Sequence, residues 1–171
     1  MPVDVEELVT PSETAVLVIE CQEGLIGEET SLPGLRRSVL ESGMLPRLSK
    51  LLDCARTAGV QVVHCTIVRA PTSRVRSGMR RFGKDTSEAV APTGGGSPGP
   101  IVQELAPHDS DLVSQRAYGM TAFHQSGLDD ELRSMGIKTV VVTGVSLNIA
   151  ITGVVIESVN RGYRAVLPTD C

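Results

Sequence analysis

Four places along the chain offer groups that chemistry could use, and each follows a short apolar run. Glu20 and Gln22 follow AVLVI, His64 and Thr66 lie at the end of VQVVHCTI, Arg116 follows Leu112 and Val113, and the turn from Gly144 to Asn148 follows TVVVT. A carboxyl such as Glu20 can do acid–base work if burial raises its pKa toward neutrality. A guanidinium such as Arg116 clamps an anion through a planar fork. The turn holding Gly144, Val145, Ser146 and Asn148 feeds a helix, so its free backbone N–H groups could hold an anion or a developing oxyanion. Glu20 and Arg116 could equally pair with each other and tie strands together without catalysis. Residue types alone leave these two roles even.

The elements that must position these groups are legible as alternating patterns. Runs at Ala15 to Ile19, Val60 to Ile67, Leu112 and Val113, Thr139 to Thr143, and Tyr163 to Leu167 are short and rich in β-branched residues, three of them nearly continuous in apolar residues. That is the pattern of strands buried on both faces. Between them Leu45, Leu48, Leu51, Leu52 and Ala55 recur at helical spacing after Pro46, with Gly59 where a C-terminal cap belongs. A second helix is expected from a capping box of Ser126 and Asp129 through Leu128, Leu132 and Met135 to Gly136, and a third from about Asn148 to Arg161, stopping at Gly162. Strands alternating with such helices imply βαβ units and a parallel sheet with right-handed crossovers. In such sheets ligands bind at the carboxyl ends of strands, near the point where strand order reverses, which is where the four places above fall.

Two parts break the rhythm. Residues 69–110 form one long connection with a basic stretch (Arg69, Arg74, Arg76, Arg80, Arg81, Lys84) and the segment APTGGGSPGP. Connections of this length are often lids, binding loops or oligomer arms, although a solvated loop explains the charge equally. The second is Cys171, which directly follows a strand; a further covering helix, or a partner subunit, is expected there.

The chain has 171 residues, 41% of them hydrophobic, with 16 Lys and Arg against 20 Asp and Glu. This suits one soluble domain over 1–171, and the acidic balance gives no pull toward phosphate backbones or anionic membranes. Neither nucleic acid nor membrane is an expected partner, and no run reaches the ~20 apolar residues needed to cross a bilayer. Aromatic residues are only 2% with no Trp, too few for stacking platforms. Cys21, Cys54, Cys65 and Cys171 form no C-x-x-C pair, and Cys54, His64 and Cys65 lack zinc-site spacing. Reduced thiols and a cytoplasmic location are therefore expected, with no metal and no cofactor. No phosphate-loop lysine motif occurs, and Gly94 to Gly96 do not link a strand to a helix as dinucleotide binding requires.

The order of pieces AVLVIECQEG, GSPGPIVQEL, TAFHQSGLDDELRSMGI, TGVSLNIAI and RGYRAVLPTD resembles the isochorismatase-like hydrolase superfamily over nearly the whole chain. The resemblance implies a three-layer αβα fold with a parallel, doubly wound, Rossmann-like sheet. It also implies a catalytic set of an aspartate ending the first strand, a lysine ending the third and a cysteine inside the helix after the TGV turn. This chain departs at all three: Glu20 stands for the aspartate, Ala117 falls at the lysine register with Arg116 one residue earlier, and Ala150 stands for the cysteine. Ala150 offers no nucleophile, which closes the thioester route. Cys21 is expected to face away from Glu20, because strand neighbours point to opposite faces. Ser146 has no identified base and is expected to cap a helix. Metal-binding members of the family use an Asp-x-His arrangement absent here, so His64 is expected as a hydrogen-bonded core histidine, with His108 and His124 not ligands.

Isochorismatases also carry a small residue at the cysteine position and hydrolyse a vinyl ether without a covalent intermediate. The resemblance thus implies a non-covalent, acid-assisted hydrolase of a small metabolite. Glu20 would be the acid, Arg116 the anion partner, and Gln22, Phe123, Gly144, Val145, Ser146 and Asn148 the substrate contacts. A catalytically inactive relative that binds a small molecule or forms an oligomeric scaffold is the alternative. Homo-oligomers are expected from the uncovered sheet end and the family habit. Arg116 can reach Glu20 only if its strand ends or bulges just before it, since a slip of one residue reverses the face.

Overall fold

The computed structural model describes residues 5–30, 32–68, 98–117 and 119–171. The basic stretch, most of APTGGGSPGP, and Tyr118 lie outside them. Among the described residues five strands form one sheet: β1 (Thr14–Ile19), β2 (Gln61–Ile67), β3 (Leu112–Arg116), β4 (Thr139–Gly144) and β5 (Arg164–Val166). All neighbours are parallel in the order β3-β2-β1-β4-β5, so the order reverses between β1 and β4. Among the described residues six α-helices accompany them: α1 (Val5–Leu8), α2 (Glu23–Ile26), α3 (Pro33–Ser42), α4 (Met44–Thr57), α5 (Leu128–Ser134) and α6 (Thr152–Asn160).

Alternation along the strands divides the core in two. Val16, Val18, Val62 and Val141 face Leu25, Ile26, Val39, Leu48, Leu52 and Ala55 of α2, α3 and α4. Ala15, Leu17, Ile19, Val63, Cys65, Val140 and Val142 face Leu128, Leu132, Ile151 and Val154 of the α5 and α6 layer. Both faces of β1 are buried along its whole length, which explains a run with no polar alternation. The α/β sandwich, its five strands and the core stripe of α4 are therefore as the sequence predicts. Gly59, at φ 75°, closes α4 as expected, with Val60 N–H donating to Ala55 O at 2.9 Å.

Three local features differ from expectation. The helix expected from a Ser126 capping box starts after Gly127, whose φ is 76°. Ser126 Oγ accepts from Leu128 N–H at 3.3 Å, but Asp129 turns away to accept from Tyr163 Oη at 2.8 Å and Arg133 Nε at 3.2 Å. The box stays half closed because Asp129 gives its oxygens to the charged Arg133 of its own helix and to the Tyr163 hydroxyl. A π-helical turn, Leu147–Ile151, precedes α6 in place of regular helix from Asn148. Third, α3 carried its own signals, with Pro33 at its start and Gly43 at φ 63° after its end, that the strand-and-helix rhythm obscured. Among the described residues no helix is long and apolar enough to cross a membrane.

Candidate active site

The site forms where β1 and β3 end. By strict alternation Glu20 would follow Val16 and Val18 toward α4, but its φ of 55° turns the chain as β1 ends. Its N–H donates to Cys65 O at 2.9 Å, holding this turn on the end of β2. Arg116 is the last residue of β3, and β3 pairs Cys65 with Ser114 and Ile67 with Arg116. Alternation along β3 puts Ser114 and Arg116 on one face, that of Cys65 on the α5 and α6 side, while Ile67 at the end of β2 packs into the α3 and α4 core. Two strand spacings, roughly 10 Å, separate β1 from β3, a gap that only a long side chain bridges. Arg116 bridges it, and its Nη2 donates to Glu20 Oε1. Ala117, the lysine register, lies past the strand end.

Arg116 is only 4% exposed, yet its Nε and Nη1 have no hydrogen-bond partner among the described residues, and neither has buried Ser114 Oγ. Burial pushes the Glu20 carboxyl up, and the charge and hydrogen bond of Arg116 pull it down by less, so it sits above its ordinary value. Cys65 and Ser114 were not singled out as site residues. The two-residue period that carries Arg116 to this face carries Ser114 with it, and that signal was available.

The expected substrate contacts are mostly committed elsewhere. Gln22 is buried, its Nε2 donating to Ile67 O at 3.0 Å and Gly99 O at 2.8 Å while its Oε1 accepts from Ile67 N–H at 2.7 Å. It clamps the end of β2 and the 98–102 segment to the end of β1. Gly144, at φ 99°, is required by close approach, since a Cβ there would lie 2.3 Å from Ile19 O. Val145 is buried and its N–H donates to Ile19 O at 2.9 Å, so it cannot serve an anion. Ser146 follows a cis Val145–Ser146 peptide bond and makes no side-chain cap; its carbonyl accepts from Ile149 and Ile151 N–H instead. The expected hydroxyl cap is therefore corrected to a carbonyl one. Asn148 is exposed on this turn, and Ala150 is packed into the α5 and α6 core. Phe123 is corrected from a substrate contact to a core ring. It is buried with Arg161 Cζ 4.9 Å above it and Tyr163 stacked at 6.1 Å, beside the C-terminal end of α6 and the start of β5.

The buried thiols cannot stand in for a nucleophile. Cys21 packs into the α3 and α4 core, on the side away from Cys65. Burial foremost, then the Glu20 charge, push its pKa to about 12, and burial pushes Cys65 to about 12 as well. Both are neutral thiols near pH 7. A crevice of about 290 Å³ opens on the other face of β2 and β3, lined by Gln22, Thr66, Ile67, Gln115 and the 98–101 segment; Glu20 and Arg116 are not among its lining residues.

His64 is buried on the α4 face, and its Nε2–H donates to Asp111 Oδ2 at 3.3 Å, as a hydrogen-bonded core histidine. Asp111 also accepts from Arg56 Nε at 3.2 Å, Arg56 Nη2 at 2.7 Å and His108 N–H at 2.9 Å. Among the described residues no group of three or more His, Cys, Asp or Glu could hold a metal ion.

Comparison with known proteins bears on the family and the fold. The ureidoacrylate amidohydrolase RutB of Agrobacterium fabrum is 29% identical over 191 residues, covering 94% of this chain and 75% of that protein. The uncharacterized isochorismatase family protein YwoC of Bacillus subtilis is 26% identical, covering 92% and 76%. Among solved structures, a cysteine hydrolase from Pseudomonas syringae pv. phaseolicola superposes with a TM-score of 0.73 at 22% identity, over 96% of this chain and 74% of that one. N-carbamoylsarcosine amidase from Thermoplasma acidophilum gives 0.71 at 21%, over 92% and 82%. These two likenesses speak for the fold. The pattern of the Isochorismatase domain matches residues 14–171, nearly the entire chain, and with the parallel five-stranded sheet and the strand-end site this makes the chain a member of the isochorismatase family.

Proposed function

We propose that this chain is a hydrolase of a small metabolite that works by acid assistance without a covalent intermediate. Glu20 is the acid. Protonated Glu20 gives its proton to the alkene carbon of a vinyl ether, water adds to the oxocarbenium ion so formed and returns a proton to Glu20, and the resulting hemiketal collapses with cleavage of its C–O bond to a carbonyl compound and an alcohol. Arg116 supplies the positive charge that holds an anionic substrate beside it. The observation that carries this reading is the buried meeting of Glu20 and Arg116 at the strand ends, with Glu20 raised above its ordinary pKa. The absence of a nucleophile at Ala150 and the neutral state of Cys21 and Cys65 argue against a thioester. Relatives are named for hydrolysis of ureidoacrylate, itself a small carboxylate, which supports an acidic metabolite as the substrate class here.

A panel of vinyl ethers and small amides assayed with the wild type and Glu20→Gln tests it. Glu20→Gln should lose about 10²- to 10⁴-fold in kcat, the usual contribution of a general acid, while keeping the wild-type circular dichroism. No turnover of any panel member by the wild type would overturn it.

A second reading, an inactive oligomeric scaffold, is favoured by one observation. Ile149, Ile156 and Val159 are 46%, 56% and 59% exposed at helical spacing, with Leu147 at 66% beside them. A cytoplasmic homo-oligomer fits either reading. A sedimentation mass of one chain across working concentrations would remove the scaffold.

A further inference from the structure

One buried cation faces one carboxylate, and two of its three nitrogens have no partner among the described residues. Arg116 gives Nη2 to Glu20, while Nε and Nη1 are without partners among the described residues at 4% exposure. A buried guanidinium left in this state loses hydration without replacing it, which a structural ion pair would avoid by gathering further acceptors. Ser114 Oγ, on the same face one step down β3, is also buried and unpartnered. Hydroxyl and guanidinium together are the donor set for a small carboxylate. Among the described residues, the other ionisable groups around Glu20 cannot balance a second anion. They are Cys21 next in the chain and Cys65 from β2, both neutral thiols, with Glu131 of α5 acting on Cys65 from the facing layer.

We propose that a small carboxylate docks on the free N–H groups of Arg116 and that its arrival draws a proton from solvent onto Glu20. Two carboxylates on one buried cation cannot both stay ionised, and the more deeply desolvated one takes the proton. The ligand thereby converts Glu20 from an ion-paired base into a loaded acid. The idea deepens the reading of Glu20 as the catalytic acid: the enzyme would be armed only when an acidic substrate is in place, and neutral analogues would leave Glu20 ionised. The elevated Glu20 carboxyl supports this direction, because burial already favours its neutral form.

The test is titration calorimetry with formate, acetate and benzoate, and with acetamide as the neutral control, in buffers of different ionisation heat between pH 6 and 8. The expected result is uptake approaching one proton per carboxylate bound, with Kd rising about tenfold per pH unit, and no such linkage for acetamide. Glu20→Gln should bind the same acid with no proton uptake and a pH-independent Kd, and Arg116→Met should not bind it. Carboxylate binding without proton uptake, an unchanged pH slope in Glu20→Gln, or no binding of any of the three acids overturns the proposal. If Glu20→Gln does not fold, the wild-type proton count alone decides. These readouts do not use turnover. A chain that binds acids with proton uptake but hydrolyses nothing keeps this proposal and loses the hydrolase reading, and an active chain that binds acids without uptake does the reverse.

Discussion

Two buried carboxylate–arginine pairs lie on opposite faces of the same sheet edge, and their bonding differs sharply. Asp111 accepts from two Arg56 nitrogens, from the His108 N–H and shares a hydrogen bond with His64. Glu20 shares one hydrogen bond with Arg116, whose other nitrogens have no partner among the described residues. The outcome for the acid also differs. Burial pushes Asp111 up, but the Arg56 and His108 hydrogen bonds and the Arg56 charge outweigh it and hold the carboxyl below its ordinary value. For Glu20 burial wins. A network with its acceptor saturated is fixed in one charge state and serves as a staple between α4, β2 and β3. A pair with spare donors can change its charge state, and that is what a reacting group needs.

The largest effect expected from breaking the comparison is on stability. Asp111→Ala leaves Arg56 and His64 without their acceptor and should cost about 3–5 kcal/mol, the range for removing one partner of a buried pair, read from urea unfolding, with kcat nearly unchanged if the protein is assayed while folded. A comparable loss of kcat in Asp111→Ala would erase the distinction between staple and site.

The next effect is an acid-driven loss of stability from the same cluster. Burial foremost holds His64 below its ordinary pKa of 6.5, only partly offset by Asp111. The unfolded chain therefore binds a proton more readily, so the His64 contribution is complete above pH 6.5 and is lost as pH falls through the lower folded value. Asp111, also depressed, contributes fully above its ordinary value of 3.8 and loses that contribution as pH falls below it. Each step has a slope of at most about 1.4 kcal/mol per pH unit. His64→Gln should flatten the upper step and Asp111→Asn the lower one in unfolding free energies measured from pH 8 to 3. An unaltered upper step in His64→Gln would place the titrating group elsewhere.

The smallest expected effect is none at all. Iodoacetamide at pH 7 should leave turnover unchanged, because Cys21 and Cys65 are buried with pKa values near 12 and Ala150 offers nothing to modify. A substrate adduct on any cysteine would sharpen the comparison in the opposite sense, by moving the chemistry away from Glu20.

The strands, the core stripe of α4 and the parallel topology could be read from the chain because they follow from local periodicity. AVLVI is apolar without alternation only when both faces are covered, and Leu48 with Leu52 recur at the spacing of one helix face. That Glu20 and Arg116 lie at strand ends was also legible, since each follows a short run with apolar residues and a parallel sheet brings such ends to one edge. What the sequence left even, whether they meet and in what state, depended on a left-handed residue at Glu20 and on β3 ending at Arg116 itself. Neither is a property of any single residue type.

Gln22, Val145 and Phe123 looked like substrate contacts for the same reason that they proved to be structural: polar or aromatic groups at a strand end find partners wherever the fold supplies them. The backbone of Ile67 and Gly99 claimed Gln22, Ile19 claimed the Val145 N–H, and Arg161 with Tyr163 claimed Phe123. All these partners, Ile67 of β2 included, are far away in sequence. The sequence by itself determined which elements form, because helix and strand periods are local. Only the tertiary structure decided which polar groups remained unpaired, because satisfaction of a buried donor is set by whatever other elements bring within about 3 Å.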